Sequence, residues 1–160
     1  MKKTIAGLAI AAASVSTPVE AEEKDQTHTI TRSQDHTTSK GSPDFFTGDV
    51  SVKGLFGPKE SAPFSGGIVT FQPGARSNWH THPAGQHLVV LDGIGLTGLE
   101  DGTITEIKEG DVIWCPPGVK HWHGAKAEHA MTHMALTGDK DGKNVDWMEP
   151  VTDEQYKTLK

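Results

Sequence analysis

Turn signals recur so often after Phe45 that no long helix fits between them. Pro73-Gly74, Asp92-Gly93, Asp101-Gly102 and Gly138-Asp139 each close a short run, and Gly110 opens another. The runs have strand character. Residues 67–72 alternate apolar and polar side chains, and residues 86–91 are rich in β-branched and apolar types. Residues 103–108 alternate Thr and Ile with Thr, Glu and Lys, and residues 94–100, 111–115 and 129–136 complete the series. Asp101-Gly102 between two such runs predicts a two-residue hairpin, because both residue types tolerate positive φ. Short strands at regular spacing with Gly and Pro turns predict an all-β sandwich or barrel. Only the end reads as a helix. Residues 152–159 open with Thr152 and Gln155 in capping-box spacing, with Val151 and Tyr156 placed for a hydrophobic staple.

The N-terminal part has a different character. Lys2 and Lys3 precede an apolar run over residues 5–15, and Val19-Glu20-Ala21 ends in a small residue. Residues 1–21 therefore read as a secretory signal peptide, which predicts a secreted, periplasmic protein. The apolar run is too short to span a bilayer as a helix. No cysteine follows it, so no lipid anchor is expected. Residues 22–42 are polar and carry too little apolar surface to offset their ordering entropy, which predicts a flexible tether. Residues 43–160 are left as one folded domain.

The net charge is −6 and no cluster of Lys and Arg forms a stripe, which argues against a nucleic-acid partner. The one cysteine, Cys115, excludes an intrachain disulfide. It sits in an apolar run and reads as a small buried hydrophobe.

The histidines carry the chemistry. His80 and His82 are two apart, so on an extended chain they face one side while Trp79 and Thr81 face the other. Beyond a Pro-Ala-Gly turn lie Gln86, with a carbonyl oxygen to offer, and His87, the competing donor. A second cluster holds His121 and His123 around Trp122, and His133 lies inside a strand-like run. Imidazole and oxygen donors without thiolate suit Mn, Fe, Co, Ni, Cu or Zn. His129 reads as a surface residue, Trp79, Trp114 and Trp122 as barrel-wall packing, and Arg76 as a cation on a turn.

These segments resemble the two motifs of the cupin superfamily. Gly74, His80, His82, Gln86 and Gly93 fill the first, with Gln where the pattern has an acid; that spacing fits Gln86 and not His87. Gly110, Pro116, Gly118 and His121 fill the second, with Ala125 in place of its Asn. The resemblance implies a double-stranded β-helix, a jelly-roll barrel with a metal inside.

A narrower similarity is to the bacterial cupin hydroxynitrile lyases, over about residues 42–160. It is carried by residues 79–83, Gly85-Gln86, residues 120–125, 131–133, 145–149 and 151–156. The resemblance implies His80, His82, Gln86 and His121 as ligands of one divalent metal per subunit. Manganese(II) is expected, with Fe(II), Ni(II), Co(II) or Zn(II) as alternatives. It also implies that His123 and His133 are unligated, with His133 the candidate base, and that Gly67, Val69 and Thr137 line the pocket. The leader and tether depart from those lyases.

Three functions fit such a site. One is a carbon–carbon lyase acting on small, aromatic cyanohydrins or carbonyl compounds. Another is a dioxygenase. The third is a periplasmic metal or small-ligand binder without turnover, against which the spare histidines argue. Phe45, Phe46, Leu55 and Phe56, ahead of the barrel, predict a homo-oligomer, a dimer or tetramer.

Overall fold

Alternation in the sequence becomes two facing layers. The structure, a computed structural model, describes residues 27–157. The proposed signal peptide lies outside the described residues. Of the first thirty residues only 27–30 are described, and they are exposed. From Thr31 the chain forms one compact unit.

Its strands are β1 (Thr38–Lys40), β2 (Phe46–Thr47), β3 (Val50–Phe56), β4 (Phe64–Phe71), β5 (Arg76–Ser77) and β6 (His80–Thr81). Then follow β7 (Gln86–Leu99), β8 (Ile104–Lys108), β9 (Val112–Cys115), β10 (His121–Ala125), β11 (Met131–Gly138) and β12 (Asp146–Trp147). A short helix, α1 (Asp153–Lys157), ends the described chain. Every pairing is antiparallel. One layer runs β1-β3-β4-β11-β7-β9. In the other, β7 pairs β8 and β10, and β10 pairs β5 and β6, which carry β2 and β12. β7 belongs to both layers, so the sheet curls on itself as a jelly-roll barrel.

Two turn expectations are corrected here. Asp92-Gly93 does not end a strand. β7 runs through it, and the register against β11 slips between Thr132 and His133. Gly93 takes φ +79°, and a Cβ there would lie 2.0 Å from the Ala130 carbonyl oxygen. The glycine therefore makes a bulge, and the bulge lets β7 pass from one layer to the other. Asp101-Gly102 does form a hairpin, but with a three-residue loop. Gly102 N–H donates to Leu99 O (3.1 Å) and Leu99 N–H to Thr103 O (2.9 Å). Only Gly102 has positive φ, whereas a two-residue type I′ turn needs it at both central residues.

The tether expectation is also shortened. Thr38, Ser39 and Lys40 pair with Lys53, Val52 and Ser51 as an edge strand, and Gly41 N–H donates to Val50 O (2.8 Å). All three side chains of β1 are exposed. Its order rests on backbone pairing, which a hydrophobicity argument does not see.

Between the layers pack Val50, Val69, Phe71, Ala75, Val90, Ile107, Ala125 and Met131. Phe71 and Met131 are fully buried. A second cluster, of Trp79, Leu96, Trp122, Val151 and Tyr156, lies under α1. The cap of α1 forms as its sequence demands: Gln155 N–H donates to Thr152 Oγ1 (3.2 Å), and Thr152 N–H to Gln155 Oε1 (2.9 Å). Val151 and Tyr156 share the same buried cluster, as a staple requires. Arg76 is no turn-surface cation. It is 6% exposed, donates to Val151 O through Nε (3.0 Å) and Nη2 (2.9 Å), and lies 4.9 Å from the Tyr156 ring centre. It clamps the C-terminal helix to the barrel.

Candidate metal centre and cavity

β10 sets the pattern of the site. His121 and His123 point between the layers, while Trp122 joins the cluster under α1, as period-two alternation requires. His121 pairs with His80 of β6, and Trp147 of β12 pairs with His80 from the other side. These crossings bring His80, His82 and His121 together. One ring nitrogen from each lies within 4.8 Å of the others, and all three side chains are buried.

The hydrogen bonds fix which nitrogens face inward. His80 Nδ1 lies 2.9 Å from Asn78 O, His82 Nδ1 2.6 Å from Asn144 O, and His121 Nδ1 2.9 Å from Val119 O. A carbonyl only accepts, so each Nδ1 carries the proton and each Nε2 keeps a lone pair. His82 Nε2 and His121 Nε2 are buried without a partner. Gln86 Oε1 is also buried and unpartnered, because its Nε2 donates to Thr137 Oγ1 (2.8 Å) and fixes the amide's orientation. Buried polar atoms without partners are rare and need a reason. A divalent ion gives one for all three, and the donor set of three neutral imidazoles and an amide oxygen fits it.

The rings are held unprotonated. Burial pushes His121 down to about 4, with the neighbouring His82 adding to the effect. His80 is driven well below the usual histidine range by burial and then by His121. His82 is lowered by burial, against the opposing pull of the Asn144 carbonyl. Neutral imidazole is the metal-binding form.

Beside this centre lies a second pair. His133 Nε2 and His123 Nδ1 are 3.2 Å apart, with the rings at 81°. Phe71 packs against both rings, at 5.8 Å from His123 and 5.6 Å from His133. Burial holds His133 down to about 4, and burial with the adjoining His133 holds His123 well below the usual range. At neutral pH both rings are therefore uncharged, each with one N–H of its own, and one of those protons bridges the two nitrogens. A cavity of about 370 Å³ meets His80, His82, Gln86, His123 and His133 and is otherwise mostly apolar.

With this geometry in place, comparison with known proteins is decisive. The cupin domain family matches residues 67–136. A protein of Granulicella tundricola named (R)-mandelonitrile lyase is 52% identical over 128 residues, which is 80% of this chain and 98% of that protein. The chain belongs to the cupin family. Among solved structures, a cupin-like protein from Thermotoga maritima is 40% identical, with a TM-score of 0.69, over 74% of this chain and 90% of that one. A cupin 2 conserved barrel domain protein from Rhodopseudomonas palustris shares the fold at 19% identity, with a TM-score of 0.54, over 75% of this chain and 80% of that one.

In this cupin, Gly67, Val69 and Thr137 line the cavity. His87 does not compete with Gln86. It faces outward and packs at 4.5 Å on Trp114, which is 49% exposed and no part of the barrel's packing. On β9, Ile113 and Cys115 turn inward and Val112 and Trp114 outward, so alternation puts Trp114 on the outer face and not in its expected place. Trp79 and Trp122 are buried, Cys115 is buried, and His129 is exposed. Phe46 and Phe56, expected at a subunit boundary, also line the cavity, and Phe45 stacks on Trp147 at 4.8 Å. Sequence reasoning missed Asn144, whose carbonyl orients His82, and Trp147, which packs at 4.9 Å on His80 and lines the cavity. The signal available was Val145-Asp146-Trp147, an apolar pair isolated between a turn and the helix.

Proposed function

We propose that this cupin is a manganese-dependent carbon–carbon lyase that cleaves and forms small cyanohydrins, those of aromatic aldehydes above all. The observation that carries the reading is one apolar cavity lined by three of the four metal donors, His80, His82 and Gln86, and by an uncharged histidine pair. The 52% identity to a protein named (R)-mandelonitrile lyase supports the same reaction.

A divalent ion held by His80, His82, Gln86 and His121 would supply Lewis acidity toward a hydroxyl or carbonyl oxygen, undiminished because no donor is charged. The chain's own part is proton handling. The His123–His133 pair takes the proton from the cyanohydrin hydroxyl as general base. The bond to the nitrile carbon breaks, its electron pair leaves with cyanide, and the carbonyl forms. The pair then returns the proton, giving hydrogen cyanide. Because burial keeps the rings uncharged at neutral pH, a lone pair is free to accept the proton. The apolar walls around it exclude water, and a cavity of about 370 Å³ is in the range of small-molecule sites. Export by way of residues 1–21 and assembly as a dimer or tetramer belong to the same proposal. Intact mass and solution mass test them.

The test of the reaction is His133→Ala. It is expected to keep its metal and lose mandelonitrile cleavage, followed as benzaldehyde release. Undiminished cleavage would remove the histidine pair from the chemistry.

A further inference from the structure

Phe56 is held unusually. β3 bulges before it: Gly54 opposes Gly67, and Phe56, two residues on, opposes Gly66. The extra residue, Leu55, breaks the strand's alternation and re-aims the next side chain, a common use of bulges beside binding sites. The ring then sits against Gly66. A Cβ at Gly66 would fall 2.4 Å from Phe56 Cε1 and 2.5 Å from Cζ, so only glycine leaves room. Phe64 meets the ring edge-on, at 5.6 Å and 88°.

The barrel gains little from this arrangement. Phe56 is 47% exposed and belongs to neither buried cluster. Yet it lines the same cavity as His123 and His133. Half in solvent and half on the cavity, it stands at the mouth. Phe46 and Trp147 also line the cavity, with their own rings 5.6 Å apart. A flat aryl group in this cavity therefore meets aromatic surface, to which Phe56, seated between Gly66 and Phe64, adds.

We propose that Phe56, seated on Gly66 by the β3 bulge, closes the cavity mouth over the aryl group and determines the preference for aromatic over aliphatic carbonyl adducts. This rests on the lyase reading. Aromatic pairing and apolar burial together are worth about a tenfold preference.

The experiment uses the full protein with its metal, and Phe56→Ala, Gly66→Ala and the double variant. Two readouts are taken: the ratio of kcat/KM for mandelonitrile to that for acetone cyanohydrin, and benzaldehyde affinity by calorimetry. Phe56→Ala is expected to lower the ratio about tenfold, through KM, and to weaken benzaldehyde binding by a like factor. Gly66→Ala, which displaces the ring, is expected to match it, and the double variant to lose no more than either alone. Phe56→Leu, which disturbs the strand least, is expected to fall between.

A ratio unchanged in Phe56→Ala and Phe56→Leu overturns the proposal, as do additive losses in the double variant. So does a fall in oligomer size in Phe56→Ala, which would place the ring at a subunit boundary. If the parent protein cleaves neither cyanohydrin, the lyase reading fails alone. Calorimetry still decides the role of Phe56, since unchanged benzaldehyde binding in Phe56→Ala refutes it and weakened binding supports it.

Discussion

Thr137→Val removes one acceptor from the surroundings of the metal donors while nearly preserving side-chain volume. In the parent protein Gln86 Nε2 donates to Thr137 Oγ1 over 2.8 Å, with the two residues only 6% and 8% exposed. Valine leaves that buried N–H without a partner, which costs about 1–3 kcal/mol. The amide can relieve the cost by rotating, but rotation takes Oε1 out of the donor set. Either way the ion is held less well, and the expected loss of affinity is about 10–100-fold. Thr137→Ser keeps the oxygen and should bind like the parent. The assay is the manganese dissociation constant by competition against a chelator, which needs no turnover. Affinity within about twofold of the parent in Thr137→Val, well below the usual effect of removing a hydrogen-bond partner from a metal ligand, would refute the claim that this hydrogen bond orients Gln86.

The pH dependence of stability follows from the buried histidines. His121 and His133 titrate near 4 when folded and near the ordinary value of about 6.5 when unfolded. Between those values the unfolded chain binds more protons, so stability rises with pH. The metal-free protein should lose on the order of 1 kcal/mol per pH unit for each such ring as pH falls from about 6.5 to 4, and His133→Ala should flatten the slope. Urea unfolding across that range measures it, and a flat profile would contradict it. Arg76→Ala should cost about 2 kcal/mol of stability, seen as a lower urea midpoint, through loss of the charged hydrogen bonds to Val151 O. The partner Asp153 is 73% exposed and adds little, so Asp153→Ala should be nearly silent. Equal effects would contradict that ranking. Burial pushes the Cys115 thiol up to about 11, leaving ~0.1% thiolate at pH 8. Iodoacetamide should spare it in the folded protein and label it in urea; labelling at the same rate in both would contradict its burial.

Much of the site is legible in the sequence because its signals are local. His80 and His82 sit two apart, His80 on β6 and His82 just past its end, and alternation along the extended chain faces them together. The glycines and prolines around them fix where the strands turn. The cap of α1 needs only Thr152 and Gln155. What the sequence hides is set by distant partners. Asp92-Gly93 reads as a turn, but whether such a pair turns or bulges depends on β11 lying alongside. Arg76 looks like a surface cation because its partner, Val151 O, is 75 residues away. Thr38–Lys40 becomes a strand only because β3 offers an open edge. Phe46 and Phe56 read only as exterior residues, because the curl of the sheet that also brings them onto the cavity is not a local signal. Trp147 lies outside any periodic pattern and reaches His80 through a two-residue strand.

The central claim is that cyanohydrin chemistry depends on an ion held by His80, His82, Gln86 and His121 in the cavity that also holds His123 and His133. The direct measurement is mandelonitrile cleavage by the metal-stripped protein as manganese is added back, with bound metal counted in the same samples. Activity rising in proportion to occupancy and saturating at one ion per chain, with no recovery in His121→Ala, is the predicted result. Full activity in the stripped protein, or none at full occupancy, would contradict the account.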